Sequence, residues 1–237
     1  MKTNFKKLFV SILTCISVVP SINFKVGARG AFLINSAADW INVREHIRLD
    51  EHYTERKHFV LNNDIVLSDE QHICWNVFNG TLDGNGHKII INDDIDECLI
   101  DWINPMGSIR NVKFAANNTC VIAHNSGRIE QCTSSSPFLV FVNFRSIRNC
   151  KVKGHNIVVD NRAGSEIVDC SLFVNEARIV ELKPGAPNEH NHGPFDEWNY
   201  TGDFDLWNST NAQHFVISYG NSDNISNCEL IRLYEDE

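Results

Sequence analysis

The chain has 237 residues and a formal charge of −9, from 21 Lys plus Arg against 30 Asp plus Glu, with 43% hydrophobic and 22% charged positions. That balance excludes the disordered and collagen-like classes, and no basic field exists to hold a nucleic-acid backbone. Asparagine occurs 28 times, about one residue in eight. Its side chain tolerates the left-handed region and bonds nearby backbone, so the chain is expected to turn often.

At the N-terminus, Lys2, Lys6 and Lys7 precede the nearly uncharged run Leu8 to Val19. Pro20 breaks the run, and Val26-Gly27-Ala28 offers the small residues a signal peptidase cuts beside. Residues 1–28 therefore read as a secretory signal, too short to span a membrane. Its removal takes four lysines and no acids, leaving 17 basic and 30 acidic side chains, or −13. No later apolar run approaches membrane length, so no membrane span is expected in the mature chain.

The next predicted element is a helix over residues 36–48. Ser36 reads as its N-cap with Asp39 three residues on, and Trp40, Val43 and Ile47 fall on one face. Short strands follow, in Phe59 to Leu61 and Ile65 to Leu67, then in Phe78-Asn79-Gly80-Thr81-Leu82-Asp83-Gly84-Asn85-Gly86-His87-Lys88-Ile89. Within the last, Asp83 and Asn85 can bond local amides, while Gly84 and Gly86 are expected to take positive φ. This is a corner and not a catalytic motif.

A repeat occupies the middle of the chain. Ile109-Arg110-Asn111-Val112 recurs as Ile129-Glu130-Gln131-Cys132, Ile147-Arg148-Asn149-Cys150 and Ile167-Val168-Asp169-Cys170. The copies are nearly evenly spaced at about 20 residues, a period that marks stacked-repeat folds. A fifth copy, Ile225-Ser226-Asn227-Cys228, stands roughly three such periods further on. Between copies runs a second apolar set at Val121, Phe138 to Val142, Ile157 to Val159 and Ile179-Val180. Short β-branched strands at this period cannot bury an apolar face alone; stacking successive coils in parallel register buries it. The fold class is therefore all-β, a right-handed, single-stranded parallel β-helix (a solenoid) of seven or eight coils with an N-terminal capping helix, residues 29–237 forming one domain.

Of eight cysteines, Cys15 leaves with the signal. Cys132, Cys150 and Cys170 take the same inward position of successive coils, where strands about 4.8 Å apart hold Cβ atoms too far apart for a disulfide. All seven that remain, with Cys74, Cys98, Cys120 and Cys228, are expected to behave as small apolar core residues. Arg110, Glu130 and Arg148 should form one outward row of alternating charge, each pair contributing a few tenths of a kcal/mol.

The segments Phe59-Val60-Leu61-Asn62-Asn63-Asp64-Ile65-Val66-Leu67, Phe78 to Ile89 and Gly107 to Val112 resemble the opening coils of bacterial secreted and surface β-helix proteins of the adhesin-like, GLUG-repeat and pectin-lyase-like kind. The resemblance covers roughly residues 33–172. It implies that the helix plugs the open N-terminal end of the core, and that the protein works at a cell surface or outside the cell.

Residues 183–212 break the period. They carry the aromatics Trp198, Tyr200, Phe204 and Trp207, expected to stack on sugars, and His190, His192 and Asp196, which could hold a divalent cation. The acidic run Asn92 to Glu97 brings four acids into five residues, but only Asp94 and Asp96 can share a strand face. No cofactor is expected, and calcium is not indicated. The paired acids and the Gly-His-Gly of polygalacturonase-like hydrolases are absent from the sequence. The favoured reading is non-catalytic binding of a polysaccharide or a host or cell-surface glycan by a monomer, with no catalytic residue assigned. A polysaccharide lyase or glycoside hydrolase working along the side wall is the alternative, and a scaffold without ligand is the second alternative. Asn79, Asn117, Asn199, Asn208 and Asn224 each open an Asn-X-Ser/Thr tripeptide.

Overall fold

A computed structural model of the chain describes residues 30–68, 72–92, 97–116, 119–154, 156–175, 217–220 and 225–233. Residues 1–28, expected from sequence to be a secretory signal, lie outside them, and among the described residues no helix is long and apolar enough to cross a membrane.

The structure is a parallel β-solenoid. Strand β1 (Phe32–Ile34) and helix α1 (Ala37–Leu49) come first. The first full turn is β2 (His58–Leu61), β3 (Ile65–Leu67) and β4 (Trp75–Phe78). The second is β5 (Thr81–Asp83), β6 (Lys88–Ile91) and β7 (Ile100–Ile103). The third is β8 (Ser108–Arg110), β9 (Lys113–Ala116) and β10 (Ile122–Asn125). The fourth is β11 (Arg128–Glu130), β12 (Thr133–Ser134) and β13 (Phe138–Asn143). The fifth is β14 (Ser146–Arg148), β15 (Lys151–Lys153) and β16 (Asn156–Asn161). Beyond these stand β17 (Glu166–Val168), β18 (Ser171–Asn175), β19 (Ile217–Gly220), β20 (Ile225–Ser226) and β21 (Glu229–Leu233).

Each turn visits three sheets in the same order, giving sheets of eight, seven and six strands among the described residues. We call them A (β1, β2, β5, β8, β11, β14, β17, β20), B (β3, β6, β9, β12, β15, β18, β21) and C (β4, β7, β10, β13, β16, β19). Among the described residues five complete turns follow one another without a break, where the sequence reading expected seven or eight coils. β17 and β18 continue directly from the fifth turn, and β19, β20 and β21 pair onto β16, β17 and β18 from beyond residue 216.

The repeat explains sheet A. Phe59, Leu82, Ile109, Ile129, Ile147, Ile167 and Ile225 pair in register from strand to strand and form one inward ladder, each at most 3% exposed. Burying such a side chain contributes roughly 1.5–3 kcal/mol. Strand alternation would turn every second residue inward, yet the repeat places its next inward residue three positions on, at Val112, Cys132, Cys150 and Cys170, all buried. The intervening residue makes this work: Asn111, Gln131, Asn149, Asp169 and Asn227 all have φ between 52° and 55°. One left-handed residue bends the chain from sheet A into sheet B, and Asn and Asp occupy that region at least cost among L-residues.

The Asp83 to His87 corner differs in detail from the sequence reading. Asn85 and Gly86 take positive φ, at 51° and 80°, whereas Gly84 is required for space. A Cβ there would stand 2.3 Å from the Asn111 carbonyl oxygen. Asp83 accepts hydrogen bonds from the Asn85 amide at 2.9 Å and the Asn111 side-chain amide at 3.2 Å.

Helix α1 matches expectation. The Ser36 hydroxyl accepts from the Asp39 amide at 3.3 Å, and the Asp39 carboxylate accepts from the Asn35 amide at 2.8 Å. Trp40, Val43 and Ile47 are buried. Trp40 stacks on Trp75 with ring centroids 3.7 Å apart, donates from its indole to the Ile73 carbonyl at 2.8 Å, and accepts at its own carbonyl from the Trp75 indole at 3.2 Å. The helix therefore covers the first-turn core of Phe59, Trp75 and Phe78, whose rings pack together.

A second inward ladder is polar. Asn125, Asn143 and Asn161 are paired in register at the C-to-A corner and fully buried. Asn125 donates from Nδ2 to Asn143 Oδ1 at 2.8 Å, and Asn143 donates to Asn161 Oδ1 at 2.9 Å. The ends are satisfied by the Gly127 amide on Asn125 Oδ1 and the Ser165 hydroxyl on Asn161 Oδ1.

The cysteines divide into two groups. Cys120, Cys132, Cys150 and Cys170 are buried, as expected, whereas Cys74, Cys98 and Cys228 are only half-buried. In the repeat ladder each thiol donates to the carbonyl two residues earlier: Cys132 to Glu130, Cys150 to Arg148, Cys170 to Val168 and Cys228 to Ser226, at 3.2–3.4 Å.

Candidate ligand-binding surface

The outer face of sheet C carries an aromatic platform. In β7 the inward residues are Ile100 and Ile103, so Trp102 between them faces outward and is half-buried. Register places Trp102 beside Val77 on one side and His124 on the other. The Trp102 and His124 rings stack with centroids 4.6 Å apart and planes 17° from parallel. Phe144, just past β13, lies near-parallel to Trp102 at 5.8 Å and is 40% exposed. Met106, in the corner after β7, is 79% exposed.

The backbone beneath the platform is tied down. Phe144 donates its amide to the Asn125 carbonyl at 2.8 Å, and the Arg145 amide donates to Asn143 Oδ1 at 3.3 Å. Arg145 also reaches across 40 residues of sequence to donate from Nη1 to the Pro105 carbonyl at 2.5 Å. The buried asparagine ladder thus fixes the corner that presents Phe144. His124 Nδ1 stands 3.5 Å from Asp101 Oδ1, within ion-pair range but without a hydrogen bond. Aromatic faces with a carboxylate at the edge suit the apolar C–H faces and hydroxyl rims of sugars.

The outward row of sheet A has the expected register, with Glu130 beside both Arg110 and Arg148. Arg110 pairs within the row, with its register neighbour Asp83 at 2.9 Å, whereas Arg148 pairs off the row, with Glu166 at 2.8 Å through both carboxylate oxygens. The Ser146 hydroxyl and the Arg148 guanidinium hold the Glu166 carboxyl below its ordinary value. For Asp83, partial burial is outweighed by the Asn85 amide, the Asn111 amide and Arg110, so it too is lowered. Asp83, Asn85, Asn111, Lys113, Gln131 and Thr133 line a shallow groove of about 280 Å³ at the A-to-B corner. It is shallow, and none of its lining residues sets a general acid against a general base.

Comparisons with protein-family models, with curated proteins and with solved structures each give no match.

The ligand-contacting aromatics expected from sequence, Trp198, Tyr200, Phe204 and Trp207, and the metal candidates His190, His192 and Asp196, lie outside the described residues, as do Asp94 and Asp96. Glu97, at the end of that acidic run, is engaged structurally: its Oε1 accepts from the Ile73 amide at 2.5 Å. Among the described residues no group of three or more His, Cys, Asp or Glu side chains is placed to hold a metal ion. Sequence reasoning missed Trp102, His124 and Phe144. Their signal is positional: Val77, Trp102, His124 and Val142 pair in register from turn to turn and so recur at close to the repeat period.

Proposed function

We propose that this chain is a secreted or cell-surface right-handed β-helix, adhesin-like in character, that binds glycans on its side wall without transforming them. The observation that carries the reading is the Trp102–His124–Phe144 platform: three near-parallel rings, part-exposed, on a wall whose backbone is fixed by hydrogen bonds. A pre-set, rigid aromatic surface loses little entropy when a ligand settles on it. The export signal in residues 1–28 supports an extracellular place, and parallel strands joined by crossovers almost always wind right-handed. The platform serves a polysaccharide or a host or cell-surface glycan, bound by a monomer.

The test is co-elution of the mature protein with a panel of neutral and acidic polysaccharides on size exclusion, with and without calcium, followed by Kd measurement for Trp102→Ala and Phe144→Ala. We expect polysaccharides of unaltered length to co-elute, and each truncation to weaken binding by about tenfold, or ~1.4 kcal/mol. Both side chains face outward, so the fold is retained. Shortened polysaccharide would replace this reading with a lyase or hydrolase. Absence of co-elution, or equal binding by the truncated variants, would remove the platform from consideration.

A further inference from the structure

Two of the half-buried thiols behave unlike the rest. The Sγ atoms of Cys74 and Cys98 face each other at 3.7 Å, whereas each thiol of the repeat ladder is turned onto a backbone carbonyl. Cys120 is buried and is likewise turned onto a carbonyl, that of Ile122 at 3.2 Å. The chain on either side of Cys74 is already locked to the next turn. The Ile73 amide donates to Glu97 Oε1 at 2.5 Å, and the Trp75 amide donates to the Leu99 carbonyl at 3.0 Å. The two sulfurs are thus pre-aligned, in contact and partly open to solvent, so side-chain rotation with a small backbone adjustment brings them to bonding distance, about 2.05 Å.

We propose that Cys74 and Cys98 close a disulfide that staples the first full turn of the solenoid to the second when the folded chain meets an oxidising compartment, while Cys132, Cys150 and Cys170 stay thiols. The oxidant is a low-molecular-weight disulfide, such as oxidised glutathione. One cysteine thiolate attacks it, forming a mixed disulfide and releasing one glutathione thiol. The second cysteine sulfur then displaces the other glutathione, so two electrons and two protons leave on the two released thiols. The Cys98 thiol, then burial, and then the charges of Asp101 and Glu97 push the Cys74 thiol up from its ordinary value. Closure therefore quickens as pH rises, because the thiolate is the attacking species. Cys74 adjoins Trp75, on whose ring Trp40 stacks, so the staple secures the strand on which the capping helix docks. It is independent of the glycan-binding reading.

The experiment uses the full folded chain, reduced and then exposed to oxidised glutathione, alkylated, and digested with trypsin without reduction. Cleavage after Lys88 puts Cys74 on peptide 58–88 and Cys98 on peptide 89–110, with Cys120, Cys132, Cys150 and Cys170 on four other peptides. We expect the first two peptides to be recovered joined, lighter than their sum by two hydrogens, and Cys132, Cys150 and Cys170 to be alkylated only after unfolding. In Cys74→Ser, Cys98 should instead carry glutathione. Recovery of Cys74 and Cys98 as separate alkylated or glutathionylated peptides, or linkage of Cys98 to Cys120, would overturn the proposal. Oxidation should also raise the unfolding midpoint of the unsubstituted chain by roughly 5–10 °C and leave that of Cys74→Ser unmoved. A joined pair with no change in midpoint would overturn the role as a staple.

Discussion

Single residues set the geometry at both kinds of corner. The left-handed residue of each repeat, from Asn111 to Asn227, gives the A-to-B bend, and four of these five are Asn or Asp. At the C-to-A corner, asparagine acts through its side chain. Asn143 donates to Asn161 and accepts from both Asn125 and the Arg145 amide, all within a fully buried row. Chains of such bonds polarise one another, and an orphaned buried amide retains its full desolvation cost. Asn143→Ala removes three hydrogen bonds at once, those from Asn125, from the Arg145 amide and to Asn161, so it should lower stability by about 2–4 kcal/mol. Urea unfolding would measure this, and a loss under about 1 kcal/mol, the net value of one ordinary hydrogen bond, would mean that the ladder is not cooperative. The same substitution loosens the Arg145 amide and hence the seat of Phe144.

At the scale of elements, α1 and sheet C show what the sequence displayed and what it hid. The helix was legible because its cap and its buried face are local: Ser36, then Trp40, Val43 and Ile47 at helical spacing. Alone, a helix of 13 residues is marginal in water, so its stability comes from docking, chiefly through the Trp40–Trp75 stack. Trp40→Ala should cost about 3–5 kcal/mol and open the first-turn core to a hydrophobic dye. Unfolding and dye binding would check it, and unchanged dye binding would place the cover elsewhere. Sheet A was legible for a different reason between Ile109 and Ile167, where the repeat interval stays nearly constant and every ladder residue is isoleucine. The platform on sheet C was not. The steps from Val77 to Trp102, to His124 and to Val142 shorten along the chain with the preceding corners, and Val, Trp, His and Val share no chemical type. Arg148 shows the same limit, because its row neighbour is Glu130 but its ion-pair partner, Glu166, lies on the diagonal.

For the whole molecule, the stack behaves as a one-dimensional array in which each turn contacts only its neighbours. The capped end combines the largest buried rings with the helix cover and the facing thiols of Cys74 and Cys98. The other end is built differently. Val140 and Val158 pair across a single turn's length of chain, whereas Val158 and Ile217 pair across several such lengths. Closing the longer span costs about 1 kcal/mol more in chain entropy, and among the described residues β19, β20 and β21 each pair with one strand only. Formation of β19, β20 and β21 is therefore expected late in folding and their release early in unfolding. Hydrogen exchange should find the amides of β20 and β21 opening well before those of β11 and β14, and equal protection would show that the array unfolds as one unit. The pairing order thus gives the molecule a direction in time: it assembles away from its capped end and comes apart toward it.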